Sequence, residues 1–274
     1  MKGKCYFNGK ICNFDQIKTH PYDIGMLRGY GVFDVMCTAN GKPFLFDEHF
    51  ARLKKFAQEL KLPMPFSKTE FVDILQKLLQ ANDFPKSTIR TVLTGGVSAN
   101  AFLPGRPTCY ILIEKFKALP KEYYEKGVGV VTLNFGRHLP KIKITNYVEA
   151  IRQQHLKKRK DDIEITYIKD GKVLENSMSN VFIFKGDTLV TAKEEILLGT
   201  TRNLIVKLAK KKFKVEEREV TEKEFRAASE VFLTGANKDV VPVVRIDGKK
   251  IGDGKVGENT KVVMKLFREY YEKY

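Results

Sequence analysis

Lys143 has the surroundings that chemistry at an amine requires. It lies between Ile142 and Ile144. A lysine that reacts with a carbonyl must lose its proton near neutral pH, and desolvation among apolar side chains favours that loss. Because the chain holds 49 Lys and Arg residues, a surface charge is the ordinary alternative for any one lysine. Lys143 is therefore a candidate only if the rest of the sequence supplies a matching site.

Three later segments carry suitable polar groups. Glu175 enters an Asn- and Ser-rich turn between two apolar strands, where an ordinary turn residue is the alternative. Leu198-Gly199-Thr200-Thr201-Arg202 places a glycine and two hydroxyls at the start of a helix. Such a helix start binds anions through its N–H groups and its dipole. Gly235-Ala236-Asn237 ends a later strand in a second glycine turn.

Two arginines are candidates for binding a carboxylate. Arg28 lies in Leu27-Arg28-Gly29-Tyr30-Gly31, and Arg90 alternates with apolar residues in the middle of a strand. A loop arginine paired with Asp23 is the alternative for Arg28. An outward-facing strand charge is the alternative for Arg90. Both alternatives remain open at this point.

Turn and capping signals locate the elements that must position these residues. Asn-Gly pairs between strand-like runs predict hairpins, and Ser-x-x-Glu before an apolar run predicts a capped helix. The first half is predicted to contain hairpins at Asn8-Gly9 and Asn40-Gly41, a helix capped by Asp47 and ending at Glu59, a helix from Ser67 to Ala81, and strands at 87–94 and 108–116.

The second half continues the mixed pattern. It is predicted to contain a strand at 129–133, a helix at 147–160 capped by Thr145 or Asn146, hairpins at 164–175 and 180–191, a helix from Thr201, a strand at 230–234 and a helix at 260–274. Residues 118–125 form a polar, proline-containing linker between the halves. The prediction is an α/β (α+β) chain with a small N-terminal domain at 1–117 and a larger C-terminal domain at 126–274.

Composition excludes several classes of protein. No apolar run approaches the roughly 20 residues of a membrane span, and no signal peptide is recognisable. The four cysteines and four histidines show no metal-ligand spacing, so no metal site is expected, and a reduced, cytoplasmic protein is favoured. The net charge of +16 attracts anions, but the lysines are spread along helix faces and no nucleic-acid-binding motif is present.

The order of the motifs resembles the class IV, or fold-type IV, pyridoxal-5′-phosphate enzymes. These include D-amino-acid aminotransferases, branched-chain aminotransferases and aminodeoxychorismate lyases. The matching segments run in the family's order and cover nearly the whole chain: 28–35, His49-Phe50-Ala51-Arg52-Leu53, Lys143-x-x-Asn146-Tyr147, Glu175-x-x-x-Ser179-Asn180-Val181-Phe182, 198–202 and 230–235.

The resemblance implies roles for individual residues. Lys143 would carry pyridoxal 5′-phosphate as a Schiff base and shuttle the substrate proton, while Glu175 would pair with the pyridine nitrogen. Arg52 would bind the phosphate, although an i,i+4 pair with Glu48 is its alternative. The other cofactor-binding residues that the resemblance implies are Ser179, Asn180, Thr200, Thr201, Ala236 and Asn237, of which Asn237 departs from the usual small or hydroxylated residue.

The resemblance also directs the choice of substrate. Arg28 and Arg90 together look like the carboxylate trap of one branch of D-amino-acid aminotransferases, and Phe33 and Tyr147 would line the substrate site. Transamination between a D-amino acid and a 2-oxo acid is therefore expected. A branched-chain L-amino-acid aminotransferase is the first alternative and an aminodeoxychorismate lyase the second. A basic binding protein without catalysis is disfavoured because Lys143 and Glu175 are both present.

The family's assembly implies a homodimer, with neither nucleic acid nor membrane as a partner. Residues 95–104 are expected either to form a mobile loop over the site or to be a plain surface connection.

Overall fold

The computed structural model describes residues 3–274, which form two compact units. Unit 1 comprises residues 3–117 and Ile142–Tyr147, and unit 2 comprises Ala118–Lys141 and Val148–Tyr274. The predicted boundaries differ from this division at two places. Residues 118–125 belong to unit 2 rather than to a separate linker, because the helix Lys121–Lys126 buries Tyr123 in the core of that unit. Residues 142–147 return to unit 1.

Unit 1 is built on a six-stranded sheet whose named strand pairs are antiparallel, in the order β2-β1-β6-β5-β3-β4. Its elements are β1 (Lys4–Phe7), β2 (Lys10–Asn13), α1 (Ile24–Arg28), β3 (Gly31–Ala39), β4 (Lys42–Pro43), α2 (Phe46–Glu59), α3 (Lys68–Asn82), β5 (Ser87–Thr94) and β6 (Thr108–Lys115).

The turn and capping signals of unit 1 are largely confirmed. Asn8 and Asn40, each followed by glycine, have positive φ angles and begin the two hairpin turns. Ser67 accepts the N–H of Glu70 in a complete capping box. The Asp47 cap is wrong, because α2 begins at Phe46 after Leu45, which has left-handed backbone angles and gives no side-chain cap. Asp47 lies instead in the first turn, where its charge complements the helix dipole.

Unit 2 contains a ten-stranded sheet in the order β12-β11-β10-β14-β15-β7-β8-β9-β13, with β16 paired to β15. Its elements are α4 (Lys121–Lys126), β7 (Val128–Asn134), α5 (Val148–Arg152), β8 (Asp162–Lys169), β9 (Lys172–Asn176), β10 (Asn180–Lys185), β11 (Thr188–Thr191), α6 (Thr200–Ala209), β12 (Lys214–Glu217), β13 (Val220–Thr221), α7 (Glu222–Arg226), β14 (Glu230–Gly235), β15 (Asp239–Ile246), β16 (Lys249–Lys250) and α8 (Glu258–Glu272).

The helix predicted at 147–160 is much shorter in the structure. It comprises α5 and a single 3-10 turn at Gln153–Leu156. Val148 and Ile151 are about 70% exposed, so they give the helix no apolar face to bury. The run of like charges at 157–160 further disfavours helix in the remainder of the predicted segment.

Candidate active site

The main chain at Lys143 is fixed by β3. The N–H of Phe33 donates to the carbonyl of Lys143 at 3.0 Å, and the N–H of Thr145 donates to the carbonyl of Gly31 at 3.0 Å. The segment Ile142–Tyr147 therefore lies alongside β3 in unit 1. This backbone pairing gives the lysine a defined starting point for its side chain.

The side chain of Thr145 binds away from α5, whereas the sequence prediction had Thr145 or Asn146 as the helix cap. The Thr145 hydroxyl donates to the carbonyl of Gly29 at 2.8 Å, and α5 begins only at Val148. Thr145 thus ties the lysine segment to the C-terminal end of α1, the helix that carries Arg28.

The amine of Lys143 lies among aromatic groups. Its Nζ is 4.7 Å from the centre of the Phe33 ring and donates to the hydroxyl of Tyr147 at 3.3 Å. The two rings meet edge to face with centres 5.6 Å apart. Within residues 3–274, no carboxylate forms an ion pair with this amine. The structure thus brings Lys143, Phe33 and Tyr147 together around a half-buried amine.

Arg52 belongs to a buried charged cluster. Its Nε donates to Oδ2 of Asp34 at 2.8 Å, and His49 Nδ1 lies 2.5 Å from Oδ1 of the same carboxylate. Asp34 and His49 are 1% and 2% exposed. Arg52 therefore pairs with Asp34 on the buried face of β3 rather than with Glu48 in its own helix. Asp34 and His49 were missed as partners of Arg52 at the sequence level, although the i,i+3 spacing of His49 and Arg52 on α2 could have indicated that the two side chains are neighbours.

Burial and charge act against each other in this cluster. Burial tends to raise the pKa of Asp34, but the Arg52 guanidinium and His49 outweigh it and hold that pKa well below its usual range. Burial lowers the pKa of His49, and the neighbouring Asp34 only partly offsets the effect. His49 is therefore the neutral member of the cluster at neutral pH, and Arg52 supplies the positive charge.

Glu175 is a buried carboxylate of unit 2 with two hydrogen-bond donors. Its carboxylate is buried and accepts the Nε–H of Arg137 at 2.8 Å and the N–H of Leu197 at 3.2 Å. Arg137 was missed at the sequence level, although it stands only six positions before Lys143. A buried carboxylate needs a compensating charge, and Arg137 provides it.

The start of α6 has the features of an anion site. Its N-cap is Gly199, which offers no side-chain cap, and Thr200 and Thr201 are both buried. Asn180 donates to the carbonyl of Leu197 at 2.8 Å. A Cβ on Gly199 would collide with Oδ1 of Asn180, so this approach requires glycine. Asn180 therefore holds the chain that leads into α6.

Ser179, Ala236 and Asn237 lie at one end of the unit 2 sheet. The pairing of β10 with β14 sets Asn180 opposite Thr234, so the residues just before β10 adjoin those just after β14. A Cβ on Gly235 would lie 3.7 Å from the Cβ of Ser179. The structure brings these two turns together, with Asn237 exposed at the tip.

Arg28 and Arg90 take different positions in unit 1. Arg28 is exposed, and its guanidinium donates to the carbonyl of Leu27 at 3.1 Å. Its predicted alternative partner, Asp23, instead caps α1 through the N–H of Gly25 and accepts the Thr94 hydroxyl. The side-chain hydrogen bonds of Arg28 and Arg90 go to different partners, Leu27 and Glu114.

Arg90 forms an ion pair with Glu114 at 3.2 Å, and both side chains are partly exposed. Strand register sets Arg90 opposite Val35, and side chains alternate along a strand, so Arg90 shares a sheet face with Phe33. Tyr110 lies opposite Val92 on that same face and was missed from sequence. Burial, with a smaller contribution from Asp23, raises the pKa of Tyr110, so its hydroxyl remains a hydrogen-bond donor at neutral pH.

The loop at 95–104 is closed by its own hydrogen bonds. Gly105 N–H donates to the carbonyl of Gly95, and Asn100 Oδ1 accepts the N–H groups of Phe102 and Leu103. The side chains of Phe102 and Leu103 are 72% and 60% exposed. Whether this loop covers a site therefore stays a prediction.

Within the described residues, no group of three His, Cys, Asp or Glu side chains is arranged to hold a metal ion. None of the helices at 3–274 has the length and apolar character needed to cross a membrane.

The family model described as amino-transferase class IV matches residues 31–246. The chain is 31% identical over 284 residues to a Methanocaldococcus jannaschii protein provisionally named a branched-chain-amino-acid aminotransferase, covering 99% of this chain and 97% of that protein. It is 32% identical over 270 residues to a D-alanine aminotransferase of Bacillus licheniformis, covering 95% and 94%.

Two solved structures share the fold. The branched-chain amino acid aminotransferase of Escherichia coli matches with a TM-score of 0.92 at 24% identity, covering 100% of this chain and 96% of that chain. The T.th. branched-chain amino acid aminotransferase, solved with pyridoxamine 5′-phosphate, matches with a TM-score of 0.91 at 23% identity, covering 100% and 95%.

Proposed function

The chain belongs to the class IV aminotransferase family, and from this premise we propose that it transfers the amino group of a D-amino acid to a 2-oxo acid. D-Alanine and D-glutamate are the proposed donors, and 2-oxoglutarate and pyruvate are the proposed acceptors. The observation that carries the D-specific part is the position of Arg90 on the sheet face that bears Phe33, whose ring lies beside the Lys143 amine.

The family's cofactor is pyridoxal 5′-phosphate, whose ring accepts the electrons released when the Cα–H bond of the substrate breaks. The residues present fit this group. Lys143 offers an amine that pairs with no carboxylate of residues 3–274, Glu175 offers a buried carboxylate for the ring nitrogen, and Gly199 leaves the start of α6 without a side-chain cap.

Each of these residues has a proposed task. Lys143 forms the covalent link to the cofactor and moves the proton at the substrate Cα, while the Tyr147 hydroxyl orients its amine. Glu175 keeps the ring nitrogen protonated through a charge-assisted hydrogen bond, worth about 1.5–3 kcal/mol. The phosphate is bound by Arg52 and the N–H groups at the start of α6. Ser179, Asn180, Ala236 and Asn237 complete the proposed cofactor site.

The substrate carboxylate is proposed to bind Arg28 and Arg90. A guanidinium binds a carboxylate through two parallel hydrogen bonds, which fixes the direction of the substrate. The present partner of Arg90, Glu114, forms a partly exposed pair, and such pairs contribute only about 0–1 kcal/mol. A substrate carboxylate can therefore replace Glu114. Lys143 would act on one face of the bound cofactor, so the side on which the arginines hold the carboxylate would select the D or the L enantiomer.

Amino donors test this proposal directly. D-Alanine, D-glutamate and L-leucine are each supplied with 2-oxoglutarate or pyruvate, and the amino acid formed is measured by chiral chromatography. Turnover of the D-amino acids is expected to exceed that of L-leucine by about 100-fold or more, as expected when bidentate pairs discriminate by several kcal/mol. Turnover of L-leucine alone would refute D-specificity and leave the family assignment intact.

A branched-chain L-amino-acid aminotransferase is the second candidate. The M. jannaschii relative carries that name, and the aromatic rings of Phe33 and Tyr147 would suit an apolar side chain. An aminodeoxychorismate lyase is the third candidate, and release of pyruvate from aminodeoxychorismate would reveal it.

The proposal includes a homodimer in a reducing cytoplasm. All four cysteines are free thiols in the structure, as a reducing compartment favours. Light scattering coupled to size-exclusion chromatography would test the assembly, and a mass of one 31.4 kDa chain would contradict it.

A further inference from the structure

A buried ion pair between Lys238 and Glu164 links the turn after β14 to β8 in the unit 2 sheet. Lys238 Nζ donates to Oε1 of Glu164 at 2.6 Å, and the two residues are 5% and 0% exposed. Lys238 closes the turn after β14, while Glu164 lies inside β8. Neither residue has a part in the proposed chemistry.

The Glu164 carboxylate also binds the turn between β9 and β10. The Ser177 hydroxyl donates to Oε2 at 2.5 Å, the Met178 N–H donates to Oε2 at 3.2 Å, and the Ser179 hydroxyl donates to Oε1 at 3.2 Å. With Lys238, the carboxylate accepts four hydrogen bonds, which is about its full capacity. One buried carboxylate therefore links both turns.

The second turn is held from its other side as well. The N–H of Lys238 donates to the carbonyl of Gly235 at 3.0 Å, and the Tyr124 hydroxyl donates to the carbonyl of Lys238 at 3.1 Å. These bonds fix the backbone that carries Ala236 and Asn237. The Nζ–carboxylate bond then fixes that backbone relative to Ser179.

We propose that Lys238 and Glu164 are positioning residues that set the affinity of the site for pyridoxal 5′-phosphate. This inference depends on the proposed function, because Ser179, Ala236 and Asn237 are proposed cofactor contacts. A buried ion pair that only stabilises the fold can often be replaced by uncharged groups without loss of stability or of cofactor affinity. Replacement of a pair that positions a site is expected to lower the affinity for the cofactor. The two roles therefore predict different results when both charges are removed together.

The test is the double variant Lys238→Met with Glu164→Gln. The glutamine keeps an oxygen to accept from Ser177 or Ser179, and the methionine fills the space of the lysine stem. Cofactor is titrated into protein freed of it, and binding is followed by the absorbance near ~410–420 nm. The Kd is expected to rise about ten-fold or more, as for other residues that support a site indirectly. The kcat at saturating cofactor is expected to change by less than about three-fold, since Lys143 and Glu175 are unaltered.

A second ion pair of unit 2 provides the control. Nη2 of Arg245 lies 2.6 Å from Oδ2 of Asp161. Arg245 is near the C-terminal end of β15, whereas the 235–238 turn precedes the N-terminal end of that strand. The variant Arg245→Met with Asp161→Asn is expected to keep the wild-type Kd within two-fold. An equal rise of Kd in both double variants would overturn the positioning role, and so would an unchanged Kd in the Lys238 variant.

Two further measurements separate the remaining outcomes. Should the double variant fail to fold, Glu164→Gln alone is expected to raise the Kd by about three-fold, and an unchanged Kd there would equally overturn the inference. Wild-type protein that binds no pyridoxal 5′-phosphate would refute the proposed function itself. Normal wild-type binding with unchanged variants would refute only the positioning role.

Discussion

Lys143 and Glu175 have different neighbours. No acidic side chain pairs with Lys143 within residues 3–274, and its amine lies beside two aromatic rings. Glu175 is buried and held by Arg137. The proposed nucleophile therefore has aromatic neighbours, whereas the proposed partner of the ring nitrogen has a cationic neighbour.

Lys143→Ala is expected to abolish the absorbance near ~410–420 nm and the labelling by borohydride and cofactor. Loss of the residue that moves the proton should lower kcat by about 10²–10⁴-fold or more. Lys141→Ala is the matched control, because Lys141 is two positions away and pairs with the exposed Glu194. Mass spectrometry should find the borohydride-trapped adduct on Lys143 alone, and an adduct elsewhere would contradict the assignment.

Arg137→Gln is expected to destabilise the fold by about 3 kcal/mol, because it leaves the buried charge of Glu175 without its partner. Arg152→Gln is the control. Its pair with Glu149 is on the surface, with Arg152 67% exposed, so a change below about 1 kcal/mol is expected. Urea unfolding measures both free energies. An equal decrease in the free energy of unfolding in the two variants would show that Arg137 does not compensate a buried charge.

At the scale of elements, the entry into α6 depends on one glycine. Gly199→Ala would drive a Cβ into Asn180 Oδ1, which must move and weaken its bond to the carbonyl of Leu197. Overpacking of this kind costs about 1–3 kcal/mol.

The Kd for pyridoxal 5′-phosphate should rise in Gly199→Ala, since the phosphate is proposed to bind at this helix start. Gly136→Ala is the matched control. Its added Cβ comes too close to the flexible side chain of Lys169, at 2.8 Å, which can move away, and makes an ordinary contact with Leu174 at 3.8 Å. Fluorescence titration with cofactor measures the Kd of each of the two variants. A Kd for Gly199→Ala equal to that of the control would argue against phosphate binding at α6.

Local signals were sufficient to predict most elements. The capping box at Ser67 and the Asn-Gly turns act within a few residues, so sequence alone revealed them. The cap of α2 could not be predicted, because Leu45 takes left-handed angles that its residue type does not favour. The prediction of one helix over 147–160 was wrong, because α5 ends at Arg152 and its apolar residues Val148 and Ile151 are not buried.

The candidate site was predictable only in part, because many of its contacts join residues that are far apart in the sequence. Lys143 and Glu175 stand in recognisable segments, whereas their partners come from elsewhere in the chain. Asp34 binds Arg52 across 18 positions, and Arg137 binds Glu175 across 38. Lys238 reaches Glu164 across 74 positions. Such pairs depend on strand order, which no local pattern specifies.

At the scale of the whole molecule, the excess of positive charge lies on the surface. Lys and Arg outnumber Asp and Glu by 49 to 33, and runs such as 210–212 are largely exposed. Such a surface attracts the anionic cofactor and substrates and also repels itself. The buried charges differ, because each of Asp34, Glu164 and Glu175 has a cationic partner. The buried charges are therefore compensated locally rather than by the net charge of the surface.

The cluster around Asp34 should make the fold less stable in acid. The pKa of His49 in the folded chain is lowered by burial, so the unfolded chain binds a proton first as the pH falls below about 6.5. Stability that is fully present above that pH is then lost on acidification. Asp34, whose pKa is also lowered when folded, adds a further loss below about pH 4.

His49→Gln tests the first of these losses, because the glutamine amide can still donate to Asp34 but does not titrate. Unfolding free energies are measured in urea at pH 7.5, 6.5 and 5.5 with excess cofactor for both proteins. The wild type is expected to lose more stability between pH 7.5 and 5.5 than the variant. An NMR titration should also show the His49 ring still neutral at pH values where the ring in the unfolded chain is protonated. Parallel pH curves for the two proteins would mean that His49 takes up its proton equally in the folded and unfolded chains, and His49 would then have no part in the loss of stability between pH 7.5 and 5.5.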